Sequence, residues 1–396
     1  MTDILGQSQI LSYIIGLSKE GYVFTLISFE KKNNFKRTGD AIKRICLENS
    51  IKWIPLKYTK WPPVLSTIWD VFKLRIRLSR LLRSQQVDLI HCRSYLTSLV
   101  ALKLKKRKNI PFIFDMRGFY ADERVEGDLW DLKNPLYKYV YSFLKKKELD
   151  FLNYSDAIVS LTEVGAEIMK TWWDITEIEK KISIIPCAAD FEVFDLINIE
   201  KKKSSRMRLG IPQDDIVITY LGTMGTWYLF DEIMAFFSWF QTHHENAKFL
   251  MISPDSKVDV LKVAQKHSVK EDDIIVKFAR REDVSIFLDA SDLGVFFIRS
   301  TFSKRSSSPT KMGEMLAKGI PLVTNSGVGD VDAIIQKYRF GICLDKLNFS
   351  SFEEKSEEIF QLTQIDPHTI RKSAHEFFSL NDAISKYRKI YQDILG

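Results

Sequence analysis

What this chain lacks narrows its class before any motif is read. Four cysteines, Cys46, Cys92, Cys187 and Cys343, are scattered over 396 residues. No pair has metal-ligand or redox spacing, so reduced thiols in a cytosolic protein are expected, not a disulfide scaffold. No apolar run approaches the ~20 residues that span a bilayer, and the opening residues carry no signal-peptide pattern. Solenoid repeats and low-complexity tracts are missing. With only six histidines and no cluster of His, Cys and carboxylates, neither a metal nor a cofactor is expected.

What is there suits a globular protein, at 45% apolar and 28% charged residues. The length fits two domains of about 150–200 residues. The net charge of +7 is uneven: residues 1–190 carry 31 Lys/Arg against 22 Asp/Glu, and the rest 27 against 29. Residues 52–108 alone hold 14 basic and 2 acidic side chains. A basic half joined to a near-neutral half implies an anionic partner for the first half only.

Short apolar runs alternate with amphipathic helical runs. Strands are expected at 22–29, 52–58, 88–93, 111–117, 157–162 and 182–187. They are expected again at 216–222, 248–253, 274–279, 293–298, 321–325 and 341–345. That alternation means parallel sheets covered by helices, in two Rossmann-like domains, 1–194 and 207–378, joined by the polar stretch 195–206. Ile384, Tyr387, Ile390, Tyr391 and Ile394 repeat at helical spacing, so 379–396 is a closing helix. Ligands in such sheets bind beyond the carboxyl ends of the strands.

The segment SSSPTKMGEMLAKGIPLVTN, 306–325, is the strongest local signal. Ser308 reads as an N-cap, Pro309 as the first turn, Gly319 as the C-cap, and Pro321 opens the next strand. Lys311 and Glu314 share a helix face. A helix N-terminus with Lys311 beside it suits a diphosphate, and Glu314 one turn on suits the two hydroxyls of a ribose. A capped helix with a surface Lys–Glu pair is the plainer reading of the same residues. Gly222 and Gly225, between a strand and a helix, would let backbone approach a phosphate, as an ordinary strand–helix turn also would. Arg280 ends another strand, where it either assists the donor or starts a solvated helix with Arg281. Asp330 and Asp332 follow a Gly-rich turn and read as helix-start residues, not as a metal-binding pair.

The 306–325 segment resembles the donor-binding signature of retaining family-4 glycosyltransferases of GT-B fold, in the form with Ser-Pro-Thr-Lys before the glutamate found among bacterial polysaccharide enzymes. Glu314 matches the second of that family's two glutamates, and Ser306 stands where the first would be. LGTMGTWYLFDEI, IPCAADFEVF and FSLNDAISKYRKIYQDIL agree in order, so the resemblance spans nearly the whole chain. The family's Arg and Lys after the first strand of the second half have no counterpart between Gly222 and Phe230, which shifts weight to Lys311, with Arg280 or Arg305 helping. The resemblance implies two Rossmann-like domains facing across a cleft, with the C-terminal helix crossing back to the first. It implies sugar transfer from a nucleoside-diphosphate-sugar, with retention and without a metal. The donor is expected to bind at Gly222, Gly225, Arg280, Ser308, Lys311 and Glu314. No nucleophile is assigned; a leaving phosphate that accepts the acceptor's proton would need none.

In the first half, residues 115–124 crowd charges at a strand's carboxyl end. Asp115 and Arg117 are candidates for catalysis beside Lys311, and His91, Asp122 and Glu123 for binding the acceptor, a saccharide or lipid-linked saccharide. A structural ion-pair network, with His91 a core or capping residue, is the alternative. Trp53, Trp61, Trp69 and Phe72 interleave with lysines and arginines in the basic segment, as in a protein peripheral to the inner face of an anionic membrane. Rival readings are a nucleotide-sugar epimerase or hydrolase on the same fold, and a polyanion-binding interaction protein; no nucleic-acid motif supports the latter. The opening residues 1–10 read as a glycine-bearing loop and helix start, so the first strand of the first sheet is expected to be missing.

Overall fold

The computed structural model describes residues 1–172 and 178–396. A strand lies at each expected apolar run: β1 (Thr25–Glu30), β2 (Lys52–Lys57), β3 (Ile90–Arg93), β4 (Phe112–Asp115), β5 (Ala157–Ser160), β6 (Ile182–Ile184), β7 (Ile216–Leu221), β8 (Ala247–Ile252), β9 (Ile274–Lys277), β10 (Leu293–Phe296), β11 (Leu322–Asn325) and β12 (Gly341–Leu344). Every pairing among them is parallel. β4 stops two residues early because Arg117 and Gly118 take positive φ, 60° and 117°, and turn the chain out of the sheet.

The described residues divide into two compact units, Met1–Pro186 with Leu380–Gly396, and Cys187–Ser379. The expected linker 195–206 is therefore corrected: its polar residues run into the helix Ile199–Leu209 inside the second unit. Asn198 caps that helix by accepting from the Lys201 N–H, and Gly210, at φ 73°, ends it. Arg206 is 2% exposed. It pairs with Asp292 at 2.5 Å and donates to the carbonyls of Ala290 and Asp215 at 3.2 and 2.9 Å. A charged run can fold when its inward arginine finds such partners.

The second unit holds one six-stranded sheet, in the order β12-β11-β10-β7-β8-β9. β10 and β11 are buried at every residue, as strands covered on both faces must be. Phe236, Phe237, Trp239 and Phe240 of the helix Phe230–Gln241 anchor its core. The strand order reverses between β7 and β10, so the connections after these two neighbours diverge.

The first unit has two sheets, β1-β2 and β3-β4-β5-β6. β1 and β3 are not paired with each other; instead the closing helix Leu380–Leu395 packs beside them. Tyr391 meets Phe24, just before β1, and donates or accepts a 2.8 Å hydrogen bond with His91 of β3. Tyr387 packs edge-on against Tyr13, and a Cβ on Gly16 would strike Ile384. The Met1 amino group is buried against Glu30 at 2.7 Å. Burial pushes the Glu30 carboxyl up, but hydrogen bonds from that amino group, Ser28 and Thr2 outweigh it and hold the pKa below its usual value.

Gly341, opposite Leu322 in the β11–β12 ladder, leaves no room for a Cβ, which would run into the Leu322 carbonyl oxygen. Gly341→Ala is expected to destabilise the second unit by about 1–3 kcal/mol. A urea melt with an unchanged midpoint would show that the strand can shift instead.

Candidate functional site

The site in the second unit is built where β7 and β10 lie side by side. β7 ends at Leu221, and Gly222 leaves it at φ 131°, a conformation that side chains rarely adopt. A Cβ at Gly222 would lie 2.7 Å from the Lys311 Nζ, so the backbone passes directly over that ammonium. Gly225 has ordinary geometry, with only Thr223 near it. The loop after Gly222 is held at several points. Tyr220 donates to the Thr223 carbonyl at 2.6 Å, Asp255 accepts the Met224 N–H at 2.6 Å, and the Arg299 N–H reaches the Trp227 carbonyl at 2.9 Å.

β10 leads to the helix Thr310–Ala317. Ser308 does not cap it: Pro309 takes the N-cap position with extended backbone, and the Ser308 hydroxyl accepts the Cys187 N–H at 3.1 Å. With ψ 112° Pro309 is itself outside the helical range, so the helix starts at Thr310. Lys318 takes the C-cap position expected of Gly319, which follows it at φ 80°.

Lys311 points inward. Its Nζ is buried, sits 4.3 Å from the Tyr220 ring centre and 3.7 Å from that of Tyr228, and has no hydrogen-bond partner among the described residues. Burial drives its pKa well below the usual lysine value, against a weaker opposing pull from Glu314. Glu314 is also buried, which raises its pKa, while Arg281 at 3.3 Å and Lys311 draw it down. The surface Lys–Glu pair is thereby corrected, since both groups are inside. Arg280 is solvated, with Glu282 at 3.8 Å. Arg281, read with it as a solvated helix start, instead joins Glu314 and lies over Phe194. Sequence alone could not separate the two, because a one-residue step around a helix start decides which arginine turns inward. Asp332 accepts the Gly327 N–H at 2.9 Å, and Asp330 stands at the N-cap of the helix Val331–Tyr338.

In the first unit the charged strand end is a network. Asp115, 1% exposed, accepts from the Tyr387 hydroxyl at 3.0 Å, with His91 at 3.5 Å and Arg93 and Arg117 at 3.7 Å. Burial raises its pKa, but Arg117, His91 and Arg93 together hold it well below the carboxylate range. Asp122 has both oxygens engaged, by the Tyr141 hydroxyl at 2.8 Å and Lys145 at 2.9 Å. Lys145 also pairs with Glu148 at 2.5 Å; burial pushes the Glu148 carboxyl up to about 7. Asp115 and Asp122 are thus internal, whereas Arg117, His91 and Glu123 keep partial exposure. The two tyrosines of the closing helix were legible only as a packing face; their hydroxyl partners come from distant strands.

Comparison with known proteins bears on this geometry. Residues 7–193 match the family described as Glycosyltransferase Family 4. No curated protein matches the sequence. Among solved structures, the chain is similar to a glycosyltransferase from Rickettsia africae ESF-5, with TM-score 0.67, 16% identity and coverage of 99% of this chain and 96% of that one. It is similar to Anabaena HepE in complex with UDP and glucose, with TM-score 0.65, 10% identity and coverage of 98% and 96%. It is also similar to a UDP-N-acetylglucosamine 2-epimerase, with TM-score 0.58, 12% identity and coverage of 98% and 93%. The fold is GT-B: two Rossmann-like halves with parallel sheets, the first carrying the family-4 match.

Asp115 generates a prediction. Its carboxylate is stabilised in the fold, so its contribution is complete above pH ~4, the unfolded value, and is lost as pH falls further. Asp115→Ala removes the carboxylate shared by Arg93, Arg117, His91 and Tyr387 and should cost about 3–5 kcal/mol. Tyr387→Phe removes one bond to a charged group and should cost about 1.5–3 kcal/mol. Denaturant melts at neutral pH check both, and equal stability of Asp115→Ala and the wild type would dismiss the network.

Proposed function

We propose that this protein is a glycosyltransferase that takes a nucleoside-diphosphate-sugar in its second unit. The observation that carries the reading is the buried amine of Lys311 under Gly222, with no hydrogen-bond partner among the described residues, at the point where the sheet order reverses. Burial opposes the charged form of this amine, and an anion delivered there favours it. A diphosphate meets that need, with the Thr310–Ala317 helix start adding its dipole. Glu314, one turn on and steadied by Arg281, would accept from ribose hydroxyls.

As the bond to the sugar breaks, charge builds on the leaving phosphate, and Lys311 with the loop N–H groups stabilises it. We read the transfer as retaining and independent of a divalent metal, with the leaving phosphate taking the acceptor's proton. Arg117, His91 and Glu123 are proposed to meet the acceptor, a saccharide that we take to be lipid-linked and destined for surface polysaccharide. The family match over residues 7–193 and a similar structure that holds UDP and glucose support this reading.

Lys311→Met and Glu314→Ala should each weaken binding of UDP, GDP or ADP, whichever binds, by about ten- to a hundredfold. Calorimetry measures it, and unchanged affinity in both variants would remove the site. Between its lowered pKa and about 10.4 the unfolded chain holds the Lys311 proton and the folded chain does not, so this lysine makes stability rise with pH there. Lys311→Met should therefore melt no lower than wild type at pH 7. Turnover of the nucleotide-sugar without any acceptor would replace transfer with epimerisation or hydrolysis.

A further inference from the structure

The helix Leu65–Ser84 buries one face and leaves an apolar face bare. Ser66, Asp70, Leu74, Leu78 and Leu81 turn inward. On the opposite side Leu65, Ile68, Trp69 and Phe72 are 64, 60, 52 and 45% exposed, and Trp61 just before the helix is 76% exposed. The spacing 65, 68, 69, 72 is that of a single helical stripe. Trp69 and Phe72 stack at 5.6 Å, which makes the stripe continuous. Isolated exposed apolar residues are ordinary, but a contiguous patch with two tryptophans marks an interaction site.

The charge around the stripe decides what covers it. Further along the same helix the outward positions become Arg75, Arg80 and Arg83, all exposed. The neighbouring helix Tyr95–Lys108 ends in Lys105, Lys106, Arg107 and Lys108. Lys103 on that helix has its pKa lowered by burial and by the nearby charges of Arg75 and Arg107, so the two helices share one positive field. Of the two acidic residues in 52–108, Asp70 is buried and paired with Lys73 at 2.8 Å, and Asp88 is hydrogen-bonded to Gln86 at 2.7 Å. Lys105 and Lys106 are paired with Asp156 at 2.6 Å and Asp150 at 3.4 Å, so the outward positive charge of this face rests on Arg75, Arg80, Arg83, Arg107 and Lys108. A protein partner or a second, equally basic copy would have to offer both an apolar groove and dense negative charge. A nucleic acid offers the charge but no place for a stripe of Leu, Ile and Phe. No helix among the described residues is long and apolar enough to cross a membrane.

We propose that this face docks on an anionic lipid bilayer, with Trp61, Leu65, Ile68, Trp69 and Phe72 seated among the headgroups and upper acyl chains and Arg75, Arg80 and Arg83 at the phosphates. Apolar area supplies insertion and the basic end supplies attraction, the two components of an interfacial helix. The helix lies tilted, its start deeper than its end, because the apolar residues occupy the first two turns and the arginines the later ones. Tryptophan suits this depth, with an apolar ring body and a polar N–H. The dock does not depend on which sugar is transferred, or on transfer at all.

The test is flotation of the full chain with vesicles of phosphatidylglycerol in phosphatidylcholine, beside vesicles of phosphatidylcholine alone. Binding is expected only to the anionic vesicles, and should weaken from about 0.1 to about 1 M salt as the Debye length falls from ~10 to ~3 Å. Trp61→Ser with Trp69→Ser and Phe72→Ser should lose about tenfold or more of vesicle affinity. Its melting and its UDP binding should stay unchanged, since these side chains face solvent and lie outside the second unit; that separates failure of the dock from failure of the donor site. Arg75→Glu with Arg80→Glu and Arg83→Glu should abolish the preference for anionic lipid. The proposal is overturned if the aromatic variant floats like wild type, or if neutral vesicles bind equally. It is also overturned if the chain retains duplex DNA but no vesicles, or self-associates through the stripe without binding lipid.

Discussion

The reversal of strand order between β7 and β10 is the constraint on which the candidate site rests. Those two strands pair in parallel, Leu293 beside Ile218 and Gly294 beside Thr219, yet β7 continues to β8 on one side and β10 toward β11 on the other. The connections must part, and a crevice opens at the carboxyl ends between them. Gly222 and Lys311, on the Thr310–Ala317 helix, meet there. Neither would face the other if β7 and β10 were separated in the sheet.

Within the crevice the second unit tolerates a group that a core would reject. Lys311 is enclosed by Tyr220, Tyr228 and backbone, with aromatic faces giving only part of what water would give an ammonium. Glu314 is treated differently, being steadied by Arg281. The loop above is fixed by hydrogen bonds to Tyr220 and Asp255, which sets the lysine's surroundings. A buried amine with no hydrogen-bond partner lowers stability locally.

The first unit shows the opposite solution. Asp115, just as deeply buried, is surrounded by Arg93, Arg117, His91 and Tyr387, and the carboxylate serves as the point where two strand ends and the closing helix meet. Arg117 reaches it from a left-handed backbone conformation, at φ 60°. Strain of that kind persists when surrounding contacts over-determine it. Charges that satisfy one another hold the fold together, and the remaining basic surplus of this unit is left on its surface.

Apolar runs and their spacing placed the strands, because a strand buried on both faces must be apolar throughout and must end where glycine, proline or charge interrupts it. The same reasoning located the helix after Pro309, the packing face of Ile384, Tyr387, Ile390 and Tyr391, and Lys311 with Glu314 as neighbours on one helix. It failed where the outcome depends on which way a polar side chain turns. The run 199–209 reads as a linker by composition, yet Arg206 finds carbonyls and a carboxylate brought from elsewhere in the sheet. Ser308 has the chemistry of a cap, but Pro309 delays the helix and the hydroxyl meets Cys187. Arg280 and Arg281 differ by one position, and only the angle of their helix against Phe194 and Glu314 sends the second one inward. Local sequence determined the elements and the residue types at their ends, since these follow from periodicity and backbone preference. Burial and pairing of the charges were decided by the tertiary structure, because the partners that settle them, such as Asp292 for Arg206, Glu314 for Arg281 and Tyr387 for Asp115, come from segments far along the chain.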